Sequence, residues 1–411
     1  MKIVLVHNTY REKGGEDVVF ESERRLLVRA GHNVIVFVRD NTDLRDNSFA
    51  DKIAILPRML WSSNARSEFV SVLDAAQPDL VHIHNTFLSI SPSIYSACAE
   101  RAIPVVQTLH NFRLLCPGGN LFRHGATCHE CADHSLFRSV LHGCYRNSVP
   151  ATASVALMLA LHRALNTYGK SVTRFIALTA FAKQQFVSAG FPDGRIVVKP
   201  NFAEPDSRER TGAGEYAAYV GRLVGNKGVH VLLDAWKKLR VPYPLHIIGD
   251  GPDHLEMEAE ARASKLTNVT FRGRLLREEV FEEMQGARFL VVPSTLYEGF
   301  PMCIAESFAC GTPVLCSKLG ALPEIVEHGI TGLHFSPGDA QDLASKVEWV
   351  WNHPSQLAAM GLAARRKYES DYTSEKNYEL LMEIYQQALT ARHSEAATAT
   401  DRRPLSQLES H

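Results

Sequence analysis

The sequence has no apolar run long enough to cross a membrane. Its longest mostly apolar stretch, Pro150 to Leu161, falls well short of the roughly 20 residues that a bilayer requires. Charge of one sign is not in excess either. Lys+Arg 44 against Asp+Glu 45 leaves a net charge of -1, and so no global field to draw the chain to nucleic acid. The opening MKIVLVHNTY has one lysine and too few apolar residues before its histidine for a signal peptide, so it reads as a strand and the protein as cytoplasmic. No G-x-G-x-x-G fingerprint occurs, which sets aside a dinucleotide site of that type. No Asp-x-Asp stands at a strand end to hold a catalytic metal ion, and there are no internal repeats. The eight cysteines read, in a reducing compartment, as thiols or metal ligands sooner than as disulfides.

What is present is an alternation of short apolar runs and amphipathic helices, in a chain whose 411 residues imply two domains. Lys2 to Val6 reads as a buried strand, leading through Gly14-Gly15 into a helix from Glu16 to Arg29 and a second strand from Val34 to Val38. That order predicts a doubly wound, right-handed parallel sheet whose ligand face lies at the carboxyl ends of its strands. Two further strands, Leu80 to His84 and Val105 to Leu109, run into Asn85-Thr86 and His110-Asn111 at those ends. His110 is a candidate to line the crevice; the other reading is a histidine satisfied in the wall of a polar loop. Ala151 to Leu165 reads as a helix with apolar residues all round it, expected in the core, with lipid contact as the other reading. Strands at Phe175 to Leu178 and Ile196 to Val198 follow, and EPDSRERTGAGE, from Glu204 to Glu215, reads as an interdomain linker.

Tyr216 to Val220 opens a second doubly wound unit. Its strand ends at Gly221-Arg222-Leu223, followed by Asn226-Lys227-Gly228 and a helix. Arg222 and Lys227 straddle a strand-to-helix loop, where a guanidinium fork and a compact ammonium can both reach a diphosphate; otherwise they are solvated surface cations. Further on, the apolar run Phe289 to Val292 is closed by Pro293, and a loop from Ser294 to Pro301 leads into a short helix from Met302 to Ala309, stopped by Gly311. Gly299 lets a ligand approach the backbone, and Pro301 suits the first helical position, so free N–H groups and a positive helix end make an anion site above the strand. Glu298 and Glu306, with seven residues between them, flank that site. A phosphate repels carboxylates, so both are better placed to accept hydrogen bonds from neutral hydroxyls, as a ligand with sugar, diphosphate and ribose in a row would offer. The last helix, Ser374 to Leu389, puts Tyr378, Leu381, Tyr385 and Leu389 on one face, and Ala391 to His411 is polar and expected to be disordered.

Glu298-Gly299-Phe300-Pro301 with Glu306, then Gly311-Thr312-Pro313-Val314 and Gly320-Ala321-Leu322-Pro323-Glu324, resembles the E-x7-E signature of the family 4 retaining glycosyltransferases. The resemblance extends over nearly the whole chain. It implies the GT-B fold, two Rossmann-like α/β domains facing each other across a cleft: residues 1–203 on the acceptor side, 216–373 on the donor side, and a helix at 374–390 that crosses back. It also implies the roles. Glu298 would contact the donor sugar, the backbone of Gly299, Phe300, Pro301 and Met302 the diphosphate, and Glu306 the ribose. Arg222, Lys227 and Gly15 would face the diphosphate, and His110 the sugar or acceptor. Catalysis would need no metal. The donor would be a UDP- or GDP-sugar and the acceptor a glycan or a lipid-linked glycan, with peripheral contact at the inner membrane face through Ala151 to Leu165 and Arg138, Arg146 and Arg163. A GT-B epimerase or phosphorylase, or a non-catalytic scaffold, would share the fold, although no pyridoxal-lysine motif is found.

An insertion at 116–144 sets the chain apart. Cys116, Cys128, Cys131 and Cys144 are spaced C-x11-C-x2-C-x12-C, one C-x2-C knuckle with two outlying cysteines. Four thiolates can close a tetrahedral structural Zn2+ site and leave no open position for catalysis. Free thiols in a packed loop are the alternative, and disulfides a weaker one.

Overall fold

The computed structural model describes residues 1–10, 14–41, 56–204 and 212–401, with side chains to residue 392. Most of the expected linker, residues 205–211, and the end of the chain, residues 402–411, lie outside the described residues.

Two six-stranded parallel sheets carry the chain. The first uses β1 (Lys2–Thr9), β2 (Asn33–Asp40), β3 (Leu80–Ile83), β4 (Val105–Leu109), β5 (Arg174–Ala177) and β6 (Ile196–Val198), in the order β2-β1-β3-β4-β5-β6. The second uses β7 (Tyr216–Val220), β8 (Leu245–Ile248), β9 (Val269–Gly273), β10 (Ala287–Val292), β11 (Val314–Ser317) and β12 (Gly332–Phe335), in the order β9-β8-β7-β10-β11-β12. Continuous apolar runs such as Ile3 to Val6 and Phe289 to Val292 are buried on both faces, as parallel strands covered by helices must be. In both sheets the order reverses beside the first strand, and the crevice above that switch point is where such folds bind ligands. The two doubly wound units across a cleft form the GT-B fold.

The final helix, Ser374–Asp401, lays Leu381, Ile384, Tyr385 and Ala388 into the first domain, against Ile3, Leu5, Val106 and Ile176. Burial of Leu381 and Ile384 contributes about 1.5–3 kcal/mol each, enough to tie the chain end back across the cleft. The helix runs past residue 390, so the polar stretch from Ala391 to Asp401 is helical rather than the disordered tail its composition suggests. Across the cleft, the Glu324 carboxylate accepts the N–H groups of Ala180 (2.7 Å) and Phe181 (3.0 Å), so the second domain caps a helix of the first.

One expectation about the core is corrected. The helix expected over Ala151 to Leu165 forms at Val149–Ala164, with Ser148 as its cap, but only one face is buried. Val155, Ala156, Met158 and Leu159 pack inward while Val149, Leu157, Leu161 and Leu165 face out. Composition alone hid this, because small and large apolar residues alternate around the helix and blur its amphipathic period.

Candidate active site

On the second domain, the turn after β7 is fixed by a glycine that has no substitute. Gly228 has φ +75°, and a Cβ there would lie 1.9 Å from the carbonyl oxygen of Pro293. This close approach seats the Gly225–Lys227 turn against the loop that leaves β10. Lys227 Nζ consequently donates to both carboxylate oxygens of Glu298, at 2.7 and 2.8 Å, and Ser294 Oγ donates to the same carboxylate at 2.5 Å. Arg222 is exposed at the rim, its backbone held by the Tyr219 hydroxyl.

The loop then enters the helix Met302–Ala309. Pro301 is the cap rather than the first helical residue, and its missing N–H is one the helix end leaves unused in any case. Phe300 turns its ring into the core against Tyr372, at 5.4 Å between centroids, so only its backbone faces the cleft. Glu306 lies one turn further on. Burial raises its carboxyl above the ordinary range, with the Arg277 guanidinium opposing.

The first domain meets this loop at β4. A Cβ on Gly299 would lie 2.7 Å from the carbonyl oxygen of His110, so the absence of a side chain there lets the two domains touch. His129 of the insertion reaches Tyr297 Oη at 3.1 Å, beside Glu298. Gly15 starts the helix Gly15–Arg29, with Gly14 N–H donating to Asp17 at 2.7 Å and open space around Gly15 itself. A cavity of about 50 Å³ under His84, Asn85, His110 and Asn111 has room for a few water molecules and not for a sugar ring.

Beneath His110 lies a buried polar network that sequence reading missed. The His110 ring is hydrogen-bonded to His84 at 3.0 Å, and His84 Nε2 faces Glu23 Oε2 at 3.4 Å. Lys199, fully buried, donates to Glu23 at 2.6 Å and to Asn377 of the last helix at 3.2 Å. His82 bridges Thr108 and Tyr385, each at 2.8 Å, and His7 is paired with Asp17 at 2.9 Å. Burial holds the His84 and His110 rings well below their ordinary pKa, and burial, with Lys199 adding to it, brings His82 down to about 4. Glu23, His82 and His84 are close enough to hold a cation, but the Lys199 ammonium already neutralises the carboxylate and would repel one. The arrangement therefore fixes rings rather than ions. It had one signal in the sequence: His82 lies in a strand buried on both faces and His84 just past its end, also buried, where a polar side chain needs a partner.

Comparison with known proteins places both halves. Residues 203–367 match the model of the glycosyl transferases group 1 family, and residues 13–207 that of glycosyltransferase family 4. The chain is similar to a D-rhamnosyltransferase, WbpZ, of Pseudomonas aeruginosa, at 34% identity over 41% of this chain and 44% of that one. It is similar to the O-antigen chain mannosyltransferase C of Escherichia coli at 29% identity, over 41% of this chain and 45% of that one. The matched stretch thus spans less than half the length of these curated relatives. Among solved structures, Anabaena Alr3699/HepE in complex with UDP and glucose superposes with a TM-score of 0.67 at 18% identity, covering 94% of this chain and 99% of that one, a likeness of fold.

Proposed function

From a chain built in both halves as a GT-B glycosyltransferase, we propose an enzyme that transfers a hexosyl group from a nucleotide-sugar to an acceptor hydroxyl with retention of anomeric configuration. The observation that carries this reading is the Lys227–Glu298 pair at the mouth of a helix whose second turn holds Glu306. A diphosphate entering above Gly299 meets the ammonium, the Arg222 guanidinium and the free N–H groups of the helix end, which together stabilise the charge of the leaving group without a metal ion. Glu298, then released from part of its ion pair, accepts from the sugar hydroxyls, and Glu306 from the ribose. Neither carboxylate is assigned as a nucleophile. The acceptor attacks from the face on which the diphosphate departs, and that phosphate takes up the acceptor proton. His110 positions the sugar or the acceptor.

A thermal-shift series against UDP, GDP, ADP and their sugar conjugates, without added metal, tests the donor site. One nucleotide should raise the midpoint of the wild type, since a ligand at a hundred times its Kd adds about 2.7 kcal/mol, and Glu306→Ala should abolish the shift. If no nucleotide acts at millimolar concentration, the donor site is refuted. Product analysis then separates transfer from epimerisation or phosphorolysis.

The acceptor side of the proposal is a surface glycan or glycolipid, assembled at an anionic membrane. In support, Phe137, Leu141, Val149, Leu157, Leu161 and Leu165 are all exposed, Leu141 by 81%, with Arg138, Arg146 and Arg163 interspersed. Among the described residues no helix is long and apolar enough to cross a membrane, so contact would be interfacial. The protein should sediment with anionic vesicles more than with neutral ones, each engaged arginine adding about 1 kcal/mol, and Leu141→Glu with Leu161→Glu should weaken this. Equal recovery with neutral vesicles would remove the membrane from the reading.

A further inference from the structure

We infer that Cys116, Cys128, Cys131 and Cys144 form a structural zinc centre that fixes the insertion against the donor loop. The insertion has little else to hold its shape. Its regular structure amounts to a two-residue hairpin, Phe122–Arg123 with Ala126–Thr127, and two single helical turns, Glu130–Asp133 and Arg138–Leu141. Yet Cys116 and Cys144, at its two ends, come together. A methyl group placed on Gly118 would lie 3.6 Å from Cys116 Sγ and 3.8 Å from Cβ of Cys144. Ser139 links Cys131 to Cys144: the Cys144 N–H donates to Ser139 O at 3.2 Å, and Ser139 Oγ and Cys131 Sγ both point to Leu136 O, at 2.6 and 3.9 Å. All four are free thiols, two buried and two half-buried.

Four soft donors within one short segment match the tetrahedral preference of a divalent d10 ion. No three of the sulfurs yet come within 4.8 Å of one another, so binding requires side-chain rotations to close the set. The four thiol protons leave to solvent on binding, and the centre carries two net negative charges. Arg123, which lies close enough to Cys128 and Cys144 to feel them, and Arg163, close to Cys131, are placed to offset those charges. No position remains for substrate, so the role is positional. Cys128 and Cys131 bracket His129, and His129 bonds to Tyr297, next to Glu298. The metal would hold the tip of the insertion on the second domain at the edge of the donor site.

The test is metal analysis of the full chain, grown with zinc and dialysed against a weak chelator. We expect about one zinc ion per chain, and intense d–d and sulfur-to-cobalt bands when cobalt replaces it. Cys128→Ser and Cys144→Ser should each lose the ion, whereas Cys98→Ala, in the core of the first sheet, should keep it. Should those serine variants not fold, the wild type still decides. Four fewer thiols should react with a disulfide reagent in the native state than after addition of a strong chelator. Wild type holding less than about a tenth of an ion per chain, or showing the same reactive thiols with and without chelator, overturns the inference. None of these readouts depends on transferase activity.

Discussion

On the transferase reading proposed above, Lys227→Ala should lower kcat for a nucleotide-sugar donor by about 10²–10³-fold, the loss found when one preorganised donor is removed from a developing negative charge. The ammonium is held between both oxygens of Glu298 before any ligand arrives, so its position is set by the fold and not by substrate. Its charge matters most as the bond to the diphosphate breaks and charge collects on the departing oxygen, so kcat should fall more than KM rises. Lys227→Arg keeps the charge but spreads it over a planar fork, and should recover part of the loss. Folding should survive, because the Lys227 side chain is 31% exposed and Glu298 keeps its bond from Ser294. Lys238→Ala, at the far end of the helix Val229–Lys238, controls for loss of a nearby positive charge and should turn over normally. If Lys227→Ala retains kcat within about a factor of three, the ammonium does not act on the leaving group, and the burden passes to Arg222 and the helix end.

Why the Lys227–Glu298 pair and its loop were legible in sequence and the network under His110 less so follows from where each keeps its chemistry. Arg222, Lys227, Glu298 and Glu306 sit at strand and helix ends only a few residues apart in pairs, and a local motif of glycine, proline and charge states their geometry. The strands were legible for a similar reason: Phe289 to Val292 or Ile3 to Val6 cannot be solvated on either face. The network under His110 is assembled from Glu23, His82, His84, Lys199, Asn377 and Tyr385, separated by as many as 303 residues for the His82–Tyr385 bond, and no local spacing announces it. The partial exposure of Val149–Ala164 was invisible because what decides it is the packing of Met59, Phe87 and Leu136 on one side of the helix, contacts that only the folded chain makes. Likewise Phe300, which the motif puts at the ligand, spends its ring on Tyr372 and leaves only its backbone to the site.

That same network should make the protein acid-labile at an unusually high pH. His82, His84 and His110 are held neutral by burial, with folded pKa values below the ordinary value near 6.5, about 4 in the case of His82. A depressed folded pKa means that the contribution to stability is complete above the unfolded pKa and is lost as pH falls from there toward the folded value. Between about pH 6 and pH 4.5 the unfolded chain therefore binds up to three more protons at these sites, each worth about 1.4 kcal/mol per pH unit. Glu16 and Glu306, whose carboxyls burial raises, work in the opposite sense: the native state protonates them first, and they return some stability as pH falls through their own range. Three rings against two carboxyls leaves a net loss of a few kcal/mol across the window, a large share of the 5–15 kcal/mol that holds a typical domain together. Urea midpoints measured at intervals from pH 8 to pH 4.5 should stay level down to about pH 6.5 and then fall steeply. His82→Asn, which keeps a polar group between Thr108 and Tyr385 but cannot be protonated, should flatten that fall by about one proton while lowering the plateau at neutral pH. A midpoint that stays level to pH 5 would mean that the rings are charged in the native state, with Glu23 as the counterion of His82 and His84, and that His110 faces the cleft as a cation rather than as a neutral acceptor.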